Sequence, residues 1–216
     1  MKGSFWRELK RDCFDHISGA HFNPTVTLAA AVWGRVGRAR AAAMALAQLA
    51  GAALGATALH LLRPQPAPAG ERALCVTLPA PAPAAYKAAL VEAVLGGVLA
   101  LVNCAAWDAR VERLKDSWPL RIGGAVAALS LAAAELTGAS MNPVRSFGPA
   151  LCANVWTHHW VYWVGPLSGS ALCTFAYCAL WRPREPPHCA PAPLAPRAPL
   201  APLAPAQRPA KPRDAV

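Results

Sequence analysis

One unusual segment occurs twice in this chain. Ser18-Gly19-Ala20-His21-Phe22-Asn23-Pro24-Thr25 and Thr137-Gly138-Ala139-Ser140-Met141-Asn142-Pro143-Val144 share Gly, Ala, Asn and Pro at matching places, with Ser against Thr in front. Asn is a preferred helix N-cap, and Pro suits the first helical position, where no backbone donor is needed. Each copy therefore predicts a helix that starts abruptly after an irregular stretch of small residues. A lone Asn-Pro is an ordinary turn signal. Two copies about 120 residues apart, each beside long apolar segments, predict an inverted-repeat membrane protein with two half-helices. Arg145 falls in the first turn of the second half-helix, where a cation opposes the helix dipole. Something other than helix stability places it there.

The apolar residues, 55% of 216 against 15% charged, gather in runs near the roughly 20 residues that cross a bilayer. These runs are 41–62, 86–107, 119–137 and 159–181. The segments 24–33 and 143–153 are too short to cross and read as re-entrant, with irregular lead-ins tolerated only against protein or a lumen. The pattern predicts an all-α integral membrane protein. Gly51 and Gly55, and Gly165 and Gly169, lie four apart and let neighbouring backbones approach. Trp156, Trp160, Tyr162, Trp163 and Trp181 flank the last run as an aromatic belt would. Glu92 lies inside a span, which by default signals a functional site. Asn103 is expected to hydrogen-bond across helices. The 41–62 run has no formal charge and carries Gln48 and His60. The seven cysteines lack metal spacing and read as small buried residues without a disulfide framework. Residues 1–17 are polar, 63–85 form a Pro-rich connection, and 183–216 form a Pro/Ala tail whose composition predicts disorder.

A net charge of +10 raises nucleic acid as a partner, but its distribution argues for topology. Apart from Arg63, Arg72, Lys87 and Arg145, every lysine and arginine falls on one side if both termini are cytoplasmic. That is the positive-inside pattern. No nucleophile, base or metal constellation stands out, and no cofactor is implied.

The segments SGAHFNPTVTLA, QLAGAALGA at 48–56, TGASMNPVRSFGPAL and HWVYWVGPLSGS at 159–170 resemble the aquaporin (major intrinsic protein) family over residues 18–182. The family signature is two Asn-Pro-Ala boxes. Here they read Asn23-Pro24-Thr25 and Asn142-Pro143-Val144. The resemblance implies an aquaporin-like bundle in which both asparagines face a lumen. It also implies a homotetramer in the plasma membrane and a passive channel for water that excludes protons and ions. Four spans stand where the family has six, so the first two read as missing and the chain as N-terminally incomplete. Glu92 and Glu135 are implied to support the loops. Ser130, Ala139 and Arg145 are implied to form the selectivity ring. Water-selective members have histidine where Ser130 stands, and the smaller serine, as in the insect entomoglyceroporins, implies a wider ring that also passes glycerol or urea. Ser146, Ala150, Tyr162 and Trp163 follow the water-type pattern instead. The alternative from another class is a truncated, non-conducting membrane protein with a structural role or none.

Overall fold

The computed structural model describes residues 17–62, 75–81, 84–111 and 117–182. Most of the N-terminal stretch and of the Pro-rich connection, residues 112–116 and the Pro/Ala tail lie outside them. The described elements are α1 (Pro24–Trp33), α2 (Arg38–Leu62), α3 (Ala85–Trp107), α4 (Trp118–Thr137), α5 (Pro143–Ala153) and α6 (Val161–Leu180). Four of them, α2, α3, α4 and α6, are long and apolar enough to cross a membrane. Among the described residues there is no strand.

The two half-helices start as their boxes predict. Asn23 and Asn142 are extended N-caps, with φ −151° and −148°, and proline follows each. Both helices end in left-handed C-caps, Gly34 and Asn154, which satisfy terminal carbonyls.

The closest helix pair is α3 with α6, and glycine makes it possible. A Cβ on Gly96 would lie 2.6 Å from the Pro166 backbone, one on Gly165 would lie 2.7 Å from the Ala89 carbonyl, and one on Gly169 would run into the Ala93 carbonyl. The expected close packing at Gly165 and Gly169 is present. At Gly51 and Gly55 it is not: a side chain there would meet nothing within 4 Å. The approach of α2 to α5 runs instead through Gly148, whose Cβ would lie 2.5 Å from the Ala52 carbonyl. Along α2 no residue is buried, and on α4 only Ile122, Ala133 and Thr137 are. Apolar faces of both helices are thus left uncovered among the described residues, as suits contact with lipid or further helices.

Other sequence expectations need correcting. Tyr162 is fully buried, so it is core rather than belt, whereas Trp156, Trp160 and Trp181 are exposed. Asn103 donates to Leu99 O in its own helix at 2.8 Å, because a buried amide finds the i−4 carbonyl nearest. Cys104 is buried, but Cys75 is exposed; both are free thiols.

Candidate functional site

The boxes are built alike. In each, a glycine at high positive φ precedes an alanine in the left-handed region: Gly19 at 81° and Ala20 at 43°, Gly138 at 78° and Ala139 at 44°. Such an alanine costs about 1–2 kcal/mol. Local hydroxyls hold both turns, since Ala20 N donates to Ser18 Oγ at 3.2 Å and Ala139 N to Thr137 Oγ1 at 3.1 Å. This is why Ser and Thr are interchangeable in front of the box.

The asparagines then cap their own helices and tie the opposite loop. Asn23 Oδ1 accepts from Thr25 N at 2.8 Å, and its Nδ2 donates to Met141 O at 2.9 Å. Asn142 Oδ1 accepts from Val144 N at 3.1 Å and Arg145 N at 3.4 Å, and its Nδ2 donates to Phe22 O at 3.0 Å. Each amide reaches the carbonyl just before the other asparagine. The two half-helices therefore meet N-terminus to N-terminus. The third box residues contribute backbone N–H groups, so Thr and Val serve where the family has Ala. Thr25 Oγ1 is buried without a partner among the described residues.

Glu92, fully buried on α3, supports the second loop. Oε1 accepts from Thr137 Oγ1 at 2.7 Å and Ser140 N at 2.8 Å, and Oε2 accepts from Met141 N at 2.8 Å. A buried carboxylate is tolerable only with such charge-assisted bonds. Tyr162 OH donates to Thr137 O at 2.7 Å. Ser146 Oγ lies 2.6 Å from both Ser140 Oγ and Thr77 Oγ1. The first loop is held by Gln48, whose Nε2 donates to His21 O at 2.5 Å and Thr27 Oγ1 at 2.9 Å. Ser170 Oγ donates to Thr25 O at 2.8 Å. Glu135 is exposed on α4 and, among the described residues, bonds neither loop. Its position near the end of α4 keeps its carboxylate in the open, and the expected support comes from Glu92 alone.

Cavities flank the asparagine pair. One of about 70 Å³, with room for several waters, lies among Phe22, Asn23, Val26, Leu99, Val126 and Asn142. The other, of about 560 Å³, lies among Phe22, Met44, Gln48, Asn142, Val144 and Arg145. The Arg145 side chain is exposed, and its Nη1 donates to Cys75 O at 3.3 Å. Ser130, half-buried one turn after Val126, and the buried Ala139 line neither cavity. Asn142 thus lines both cavities, Asn23 only the smaller and Arg145 only the larger, while Ser130 stands apart from both.

Sequence reasoning passed over Gln48, Thr77, Thr137 and Tyr162 as site residues. Gln48 has a signal as an amide within an apolar run, Thr137 as the counterpart of Ser18 in front of the box, and Tyr162 within the water-type pattern; Thr77 has none.

The major intrinsic protein family model matches residues 9–177, and the chain belongs to that family. A probable aquaporin, TIP4-2, of Oryza sativa subsp. japonica is 43% identical over 180 residues, 83% of this chain and 68% of its own. Aquaporin-4 of Mus musculus is 39% identical over 165 residues, 76% of this chain and 50% of its own. The chain thus spans from about half to two thirds of the length of these relatives. The X-ray structure of the aquaglyceroporin from Plasmodium falciparum superposes with a TM-score of 0.65, covering 77% of this chain and 74% of that one at 21% identity. At that identity the likeness is one of fold. An integral membrane protein of the aquaporin-like fold is therefore established.

Proposed function

We propose that the chain forms a passive channel for water and small neutral solutes, excluding protons and ions. The observation that carries this reading is the bonding state of Asn23 and Asn142. Each Oδ1 is occupied by backbone N–H groups of its own half-helix, and each Nδ2 uses one of its two hydrogens on the opposite loop. What remains to offer a passing molecule is a donor from each side. A water between them accepts from both and has no acceptor there to donate to. Its orientation is fixed, and a proton wire is interrupted at that point. The positive ends of two half-helices and the Arg145 guanidinium repel cations from the same place. Ser130, Ala139 and Arg145 are the ring residues of this proposal, with serine favouring passage of glycerol or urea. Homotetramers in the plasma membrane with cytoplasmic termini complete the reading, the last supported by the basic residues at one end of the bundle.

The test is stopped-flow osmotic swelling of proteoliposomes holding the full chain, alongside proton leak read with a pH dye. Water flux above that of empty vesicles, without proton leak, is expected. Swelling equal to empty vesicles supports the non-conducting alternative.

A further inference from the structure

Basic residues gather at the end of the bundle where α1, α3 and α6 finish and α2 and α4 begin. Among the described residues these are Arg35, Arg38, Arg40, Arg110, Arg121 and Arg182, and the carboxylate at this end is Asp108. Asp108 is taken up by Arg110, at 2.6 Å. Two of the surplus guanidiniums lie over aromatic rings. Arg35 Cζ is 5.6 Å from the Trp107 ring centroid, and Arg182 Cζ is 4.8 Å from that of Trp33. The two rings adjoin, with centroids 6.0 Å apart. Arg182 is fixed further by its Nη1, which donates to Trp33 O at 2.7 Å. The aromatic bed continues through Tyr177 to Trp181.

Stacked guanidiniums are weakly hydrated and partly pre-ordered, so they lose little on meeting an oxyanion. A phosphate suits such a fork-shaped donor. Trp107 and Trp181 sit at the ends of the membrane-length helices α3 and α6, where such rings mark the boundary between hydrocarbon and water, and Trp33 ends the half-helix α1 beside them. Exposed Leu120 and Leu180 lie on the same end, giving acyl chains an apolar wall below the headgroup.

We propose that this rim binds the headgroup of an anionic phospholipid, its phosphate held by Arg35 and Arg182, with Arg38 and Arg40 adding long-range attraction. The site rests on the membrane reading and is independent of conduction. The inner leaflet is the anionic one in cells, which agrees with the orientation proposed above.

Native mass spectrometry of the full chain in detergent tests it, using phosphatidylglycerol and phosphatidylcholine with the same acyl chains. Preferential retention of phosphatidylglycerol is expected. The Arg35→Gln/Arg182→Gln variant is expected to lose phosphatidylglycerol affinity roughly thirtyfold and to lose much less for phosphatidylcholine, whose phosphate charge is offset by its own choline. Should that variant fail to fold, the parent's phosphatidylglycerol binding is measured against added salt, where a steep fall is expected. Equal retention of the two lipids by the parent, equal phosphatidylglycerol retention by parent and variant, or insensitivity to salt each overturns the site. So does displacement of the lipid by equimolar inorganic phosphate, which would leave a simple anion site. Swelling defects in asparagine variants bear on the channel reading and leave this one untouched.

Discussion

Gln48 and Glu92 hold the two loops by opposite chemistry. Gln48 donates to the carbonyl of His21, while Glu92 accepts from the backbone N–H groups of Ser140 and Met141. The first loop turns a carbonyl toward its support and the second turns two amides. A neutral donor suits one and an anion suits the other, so exchanging them is not conservative at either place.

Glu92→Gln is expected to lower stability by about 1–3 kcal/mol, because an amide cannot accept from all three donors and one buried N–H is stranded. Water flux should fall with it. Gln48→Glu should also destabilise, since a carboxylate would face the His21 carbonyl. Glu135→Gln should change neither melting temperature nor swelling rate. Thermal unfolding in detergent and proteoliposome swelling read all three, and an unaltered Glu92→Gln protein would sink the account of loop support.

At Asn142 two substitutions separate capping from cross-linking. Asn142→Ala removes the helix cap, worth about 1 kcal/mol, together with the bond to Phe22 O. Asn142→Asp keeps the acceptors for Val144 and Arg145 but has no hydrogen to donate. The aspartate variant is therefore expected to melt above the alanine variant. It should also admit cations, since a carboxylate would replace a donor at the narrow point. Conductance equal to that of the parent in planar bilayers would count against the donor-only account.

Glycines on paired helices should differ sharply from glycines on open ones. Gly169→Ala drives a methyl into the Ala93 carbonyl and Gly96→Ala one into the Pro166 backbone, and overpacking of this kind costs about 1–3 kcal/mol or more. Gly51→Ala and Gly55→Ala meet open space and should be neutral or stabilising by up to about 1 kcal/mol. Comparable melting shifts at all four positions would be inconsistent with the helix contacts described.

Acid should weaken the end of the bundle that carries Asp108. Hydrogen bonds from the Arg110 guanidinium hold the Asp108 carboxyl down to about 2, against an ordinary value of 3.8 and against the opposing effect of burial. A depressed folded-state value means the contribution is present above about pH 4 and is lost as pH falls toward 2. Arg110 is 58% exposed, so solvent screening keeps the effect modest. Melting temperature followed from pH 5 to pH 2 should drop in the parent. Asp108→Asn should lack that part of the drop and start from a lower plateau.

If Ser130 belongs to the proposed selectivity ring, Ser130→His is expected to reduce glycerol uptake more than water flux, because a larger, more polar side chain would narrow that ring. Radiolabelled glycerol uptake and swelling on the same vesicles compare the two. Equal reductions would argue that Ser130 only packs.

The sequence by itself determined the bundle's elements and its two boxes. Apolar runs of membrane length, with Asn-Pro as cap and first helical residue, are local signals, and the half-helix bounds 24–33 and 143–153 could be read directly. Asn23, Asn142 and Glu92 stood out because amide caps and a carboxylate in apolar surroundings are costly unless used. Tertiary structure decided the rest. The bonds from Asn23 to Met141 and from Asn142 to Phe22 join residues 118 and 120 apart, and no local pattern states which carbonyl an amide will reach. The same small-residue spacing meant close packing at Gly165 and Gly169 and open space at Gly51 and Gly55. Which of them meets a neighbour depends on the rotation of each helix about its axis, and that is fixed by the partners it packs against.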